Sequence, residues 1–146
     1  VRLINAAVLS STKKNAILKS SQNAPAAHTD VSIFSTRWKT TKIKEEKVKV
    51  VKLSDFIGED EVIDFLKIDI EGAEGQVLKD LDYTSKLKHI KEICIEYHNY
   101  DNNPLGVILE ILHRNGFKLL FSGGVRPPIG KYKNKFYTAL IYAYRK

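Results

Sequence analysis

Apolar and polar positions along this chain keep two rhythms, and the rhythm changes at identifiable residues. In "KVKVVKL" (47–53) lysine alternates with valine, as in a half-exposed strand. "VIDFLKIDI" (62–70) places Leu66, Ile68 and Ile70 on one side, with Lys67 and Asp69 on the other. "IKEICIEYH" (90–98) does the same, setting Ile93, Ile95 and Tyr97 against Cys94, Glu96 and His98. Between these two runs, "EGAEGQVLKDL" (71–81) brings Val77, Leu78 and Leu81 to one helical face. "NPLGVILEILHRNG" (103–116) predicts a second helix, with Asn103 as N-cap, Pro104 at the first helical position and Gly116 just past the end. Its apolar face is Val107, Ile108, Ile111 and Leu112.

"FKLLFS" (117–122) and "FYTALIYAYR" (136–145) read as the closing strands. The loop between them carries "GG" and "RPPIGK" and no helix, so the last strand is expected to run antiparallel. Upstream, "VRLINAAVL" (1–9), "KKNAILKSS" (13–21) and "VSIFS" (31–35) are strands, and "SQNAPAAHTD" (21–30) is a loop. "LSDFIGED" (53–60) predicts a short helical turn with Ser54 as N-cap. Strand, helix, strand, helix, strand at this spacing implies βαβ crossovers and a mostly parallel sheet in an α/β fold.

Length and charge narrow the picture. A chain of 146 residues suits a single domain spanning 1–146. A hydrophobic share of 43% with 28% charged residues excludes a disordered or fibrous protein. No apolar run is long enough for a membrane span, and no leader pattern opens the chain, so a cytoplasmic location is expected. The single cysteine, Cys94, excludes an intrachain disulfide and reads as a small buried strand residue. The net charge of +7 concentrates in "RWKTTKIKEEKVKVVK" (37–52) and in the segment from Arg114 onward, which has no acidic residue. These basic surfaces keep the chain soluble or face an anionic partner.

Chemistry is expected at the carboxyl ends of the strands, where open α/β sheets bind ligands. Asp69 and Glu71 end one strand, Glu96 and His98 the other. If the two are neighbours, these groups converge with Lys67. Carboxylates crowded together need a cation, and Lys67 can supply it by pairing with Asp69 or Glu96. The same Asp69, Glu71, Glu96 and His98 also offer ligands to Mg²⁺ or Mn²⁺, but a resident lysine makes the metal less necessary, and no metal is the favoured reading. Glu74 reads as a first-turn acid favoured by the helix dipole, and Gly72 as the glycine of a tight turn.

"VVKLSDFI", then "IDFLKIDIEGAEGQVLKDL", "IKEICIEYH" and "HRNGFKLL" together resemble the C-terminal two-thirds of an FkbM-type S-adenosylmethionine-dependent methyltransferase, over roughly Val1 to Phe121. "LKIDIEGAE" (66–74) is the strongest motif. The resemblance implies a Rossmann-like fold with a seven-stranded sheet whose last strand is antiparallel. It further implies S-adenosylmethionine as cofactor and O-methylation of a hydroxyl on a small-molecule or glycan acceptor, such as a sugar, glycolipid or polyketide. Asp69, Glu71 or His98 would then serve as base, Lys67 would steady the alkoxide or the carboxylates, and Glu96 with His98 would contact the substrate. Asp69 is also a candidate cofactor contact. Gly75 departs from the family pattern, in which a larger residue is common, and a slightly weaker helix start is expected.

The family's glycine-rich turn, which cradles the cofactor, has no counterpart in Val1 to Ala27, a stretch without glycine. The chain also lacks methionine and begins with Val1, so the expectation is a longer methyltransferase whose first strands lie outside this sequence. The alternative is a degenerate methyltransferase fold that binds an anionic glycan, lipid headgroup or nucleic acid. A nucleic-acid methyltransferase is disfavoured, because "DIEG" stands where amino-group methyltransferases carry Asn/Asp-Pro-Pro-aromatic.

Overall fold

The computed structural model describes residues 2–21, 31–32, 43–100, 102–122 and 138–145. Its elements in chain order are β1 (Ala7–Val8), β2 (Asn15–Ser21), β3 (Val31–Ser32), β4 (Ile43–Val51), β5 (Ile63–Ile68), α1 (Glu74–Tyr83), β6 (Ile90–His98), α2 (Leu105–Arg114), β7 (Lys118–Ser122) and β8 (Thr138–Tyr144). The fold is mixed α/β. Instead of the single seven-stranded sheet expected, the described strands pair in two four-stranded sheets, ordered β1-β4-β2-β3 and β5-β6-β8-β7. Among the described residues the parallel pairs are β1–β4 and β5–β6; the other pairs, including both pairings of β8, are antiparallel. The last strand is antiparallel as expected, but it lies between β6 and β7. Of "VSIFS", only β3 falls within the described residues, and the "RPPIGK" loop lies outside them.

The second sheet holds the core on one face. Ile68 of β5, Ile93 and Ile95 of β6, and Ile141 and Ala143 of β8 pack against Val77, Leu78 and Leu81 of α1 and Ile108, Ile111 and Leu112 of α2. Every one of these residues is at least 97% removed from solvent, and each large aliphatic side chain so buried contributes about 1.5–3 kcal/mol. The other face carries Phe65, Lys67, Glu92, Cys94, Glu96, Leu120, Leu140 and Tyr142, none of them fully buried. Cys94 is therefore half-buried on this open face, beside Lys67 in the register, and not the buried residue expected.

Local rules shift several boundaries. α1 starts at Glu74 and not at Glu71, because Glu71 (φ 51) and Gly72 (φ 99) take left-handed conformations that a helix cannot include. Ser54 does not cap its turn: the 3₁₀ segment Leu53–Phe56 has Lys52 at the N-cap, and the buried Ser54 hydroxyl donates to Asp80 Oδ2 at 2.5 Å. Pro104 flanks α2 one residue earlier than predicted, and the Asn103 side chain turns inward. Gly116, at φ 81, stops α2 as anticipated. The first sheet packs on the turn between β5 and α1, where Leu9 and Val50 meet Ala73 with Ile70 beside them. Among the described residues no helix is long and apolar enough to cross a membrane.

α1 and α2 are tied at their C-terminal ends by Asp82, which accepts hydrogen bonds from Arg114 and, at 2.7 Å, from Asn115 Nδ2. Burial pushes the Asp82 carboxyl up, but those hydrogen bonds outweigh it and hold the group below its ordinary value. A depressed carboxyl stabilises the fold above its unfolded pKa, and that contribution fades as pH falls through the folded value. Asp82→Asn should therefore cost about 0.5–1 kcal/mol at pH 7, with the difference from the parent shrinking in urea unfolding as pH falls through the range in which the carboxylate is protonated. Glycines give a second check. A Cβ at Gly72 would stand 2.2 Å from the Tyr100 ring at a left-handed φ, whereas one at Gly106 in α2 meets nothing within 4 Å. Gly72→Ala should destabilise by about 2–4 kcal/mol and Gly106→Ala should stabilise by about 0.5–1 kcal/mol in the same assay.

Candidate active site

The residues singled out at the strand ends come together because β5 and β6 are adjacent and parallel. Lys67 lies opposite Cys94 and Ile68 opposite Ile95, so β5 and β6 run side by side and bring Asp69, just past β5, close to Glu96 near the end of β6. Lys67 Nζ donates to Asp69 Oδ2 at 2.9 Å. That hydrogen bond holds the Lys67 ammonium above its ordinary value, so it is a charged donor and not a base. β5 ends at Ile68, and the left-handed turn at Glu71 redirects a carboxylate that simple alternation would have carried along the strand face.

His98 is the centre of the group. Its side chain is only 1% exposed, and its two ring nitrogens face different partners. Nδ1 lies 2.8 Å from Glu74 Oε1, while Nε2 faces Glu71 Oε2 at 3.5 Å and Glu96 Oε1 at 3.7 Å. Glu71 and Glu96 keep 23% and 37% of their side-chain surface, and Asp69 keeps 36%, so solvent and ligands meet the carboxylates before the imidazole.

Glu74 and Asn103 are the residues that sequence reasoning missed. Glu74 is fully buried, and its carboxylate accepts from His98, from the Gly72 backbone N–H at 3.0 Å, and from Asn103 Nδ2 at 2.6 Å. Asn103 closes the circuit: Nδ2 also donates to the His98 carbonyl at 2.8 Å, and Oδ1 accepts from the Gly75 N–H at 2.9 Å. Tyr97, whose hydroxyl is pushed up by burial, donates to the Asn103 carbonyl at 3.0 Å. Gly75, expected only to weaken the helix start, is required by this packing, since a Cβ there would sit 2.7 Å from Asn103 Oδ1. The available signal was the run Gly72-Ala73-Glu74-Gly75, in which small neighbours leave room for the glutamate itself to turn inward.

The model of the methyltransferase FkbM domain matches residues 3–119 of the 146. The chain belongs to the FkbM methyltransferase family. No curated protein and no solved structure matches it. The FkbM match covers both carboxylate-bearing strand ends, the Glu74 turn and α2.

The glutamate at the heart of this FkbM domain makes a sharp prediction. Glu74→Ala leaves a buried imidazole, an amide and a backbone N–H without their acceptor, and should cost about 3–5 kcal/mol in urea unfolding. Glu74→Gln keeps the shape but substitutes a donor for one acceptor oxygen, and should cost about 1.5–3 kcal/mol.

Proposed function

We propose that this FkbM-family domain forms the acceptor side of an S-adenosylmethionine-dependent O-methyltransferase that methylates a hydroxyl of a sugar, glycolipid or polyketide-like acceptor. The reading rests on one observation above all: Lys67, Asp69, Glu71, Glu96 and His98 converge at the carboxyl ends of two neighbouring parallel strands. The order β5-α1-β6-α2-β7 agrees with a Rossmann-like arrangement, in which this end of the sheet is the ligand side.

Bound S-adenosylmethionine supplies an electrophilic methyl group. The chain's own residues must orient a hydroxyl in line and take its proton. Glu71 is the base in this reading, because it is accessible and set on a fixed left-handed turn, whereas His98 is sealed beneath the carboxylates. His98 and Glu74 are positioning residues that hold Glu71 and Glu96 in place. The Lys67 ammonium, beside Asp69, steadies negative charge developing on the acceptor oxygen.

A cradle for the cofactor is not evident among the described residues. The turn at Gly72 is packed against the Tyr100 ring. The net charge of +7 favours a second reading, a degenerate methyltransferase fold that only binds an anionic glycan, lipid headgroup or nucleic acid. Calorimetric titration of S-adenosylmethionine and S-adenosylhomocysteine, followed by methyl-transfer screening against hydroxylated acceptors, separates the two. The enzyme reading expects cofactor binding and turnover, with Glu71→Gln lowering kcat by about 10²–10⁴-fold at unchanged cofactor affinity. Absence of cofactor binding both to this chain and to an N-terminally extended form, or Glu71→Gln turnover equal to the parent, would sink it.

A further inference from the structure

We infer that the cavity where the β1–β2 connection meets strands β2 and β4 is a binding site for a phosphate monoester that carries an apolar group. The cavity measures about 440 Å³, which is the size of a small-molecule site. Three lysines surround it, Lys13, Lys19 and Lys47, together with Ser11 and Asn15, and among the described residues no acid lines it. Its apolar part is formed by the buried Leu9 and Val50 with Ala16. Ile17, 45% exposed, lies across from Lys47 in the β2–β4 register and adds an aliphatic surface beside the charge.

The unbalanced charge is what separates this cavity from an ordinary hollow of the surface. Lys19 is paired with Glu45 at 3.6 Å, but Lys13 and Lys47 have no acid partner among the described residues. Two ammonium groups therefore stand without a counter-charge beside apolar walls, and a cleft of one sign with such walls concentrates its field on a bound anion. The Ser11 hydroxyl accepts from the Lys13 backbone N–H at 3.1 Å, which leaves its own proton to donate. A phosphate group offers three acceptor oxygens to such donors, and lysine meets it as a point charge. The apolar half of the lining selects an ester over the bare ion, because inorganic phosphate would leave that surface facing water. None of the lining residues is aromatic, so the bases of a nucleic acid would find nothing to stack on.

This inference uses none of the residues at the ends of β5 and β6, and its failure leaves the methyl-transfer reading untouched. The experiment is calorimetric titration of the full chain with hexyl phosphate, inorganic phosphate and hexanol. Hexyl phosphate should bind once per chain, about tenfold or more tighter than either of the others. Lys13→Gln combined with Lys47→Gln should weaken it by about tenfold or more. Lys44→Gln combined with Lys88→Gln removes the same charge outside the cavity and should leave the affinity unchanged. All four lysines are exposed, and thermal unfolding equal to the parent checks that the fold persists. Sedimentation with phosphatidylcholine vesicles containing about 20% phosphatidic acid identifies the source of the ester. Vesicle binding that is lost in the Lys13 and Lys47 double variant assigns a lipid headgroup, and hexyl phosphate binding without vesicle binding assigns a soluble ester. No hexyl phosphate bound at about 5 mM, equal weakening by the two double variants, or binding of a single-stranded oligonucleotide in place of the ester overturns the proposal.

Discussion

The carboxylate of Glu74 is taken wholly out of water at the point where the β5–α1 turn, the end of β6 and the start of α2 meet. Burying such a charge is unfavourable by several kcal/mol unless every lone pair finds a donor. Gly72, His98 and Asn103 together provide those donors. The constraint reaches outward from there. It fixes the imidazole, holds Asn103 against the first turn of α1, and demands glycine at 72 and 75, since any larger residue would displace Tyr100 or Asn103. A network of this kind is stable only when complete, so it specifies one arrangement of three chain segments more strictly than apolar packing alone.

The surface side of the same network has the opposite character. Glu71, Glu96 and Asp69 face solvent around a sealed imidazole, and Lys67 is the one cation hydrogen-bonded to them among the described residues. A rigid floor beneath an accessible rim of acids is a setting in which small changes of bound charge are felt strongly, because the floor cannot relax to screen them. The left-handed turn at Glu71 serves this geometry, swinging a side chain off the strand line toward His98.

Much of this was legible in the chain. Period-2 alternation placed β5 and β6, and a helical period with Pro104 and Gly116 as punctuation placed α2 to within a residue. Candidate residues could be named because charges at the end of an apolar run stand out. Three things were hidden, each for a physical reason. An acid in the first turn of a helix reads the same whether it faces water or core, so the burial of Glu74 left no mark beyond its small neighbours. Asn103 looked like a cap, and its inward turn depends on partners 28 and 29 residues away. The place of β8 between β6 and β7, and the division into two sheets, are set by long-range pairing, which alternation within a strand does not encode.

The position of β8 has a consequence for how the molecule comes into being. β6 and β7 do not pair with each other; both hydrogen-bond to a strand that leaves the ribosome after them. Until β8 emerges, β6 has only β5 beside it and β7 has no partner in its sheet, so two strand edges stand open on the nascent chain. Insertion of β8 closes both at once and carries Ile141 and Ala143 into the core between the helices and the sheet. The second sheet therefore completes only once β8 has been made, and the interval before that closure is when these strands are most exposed to pairing with another copy of the chain.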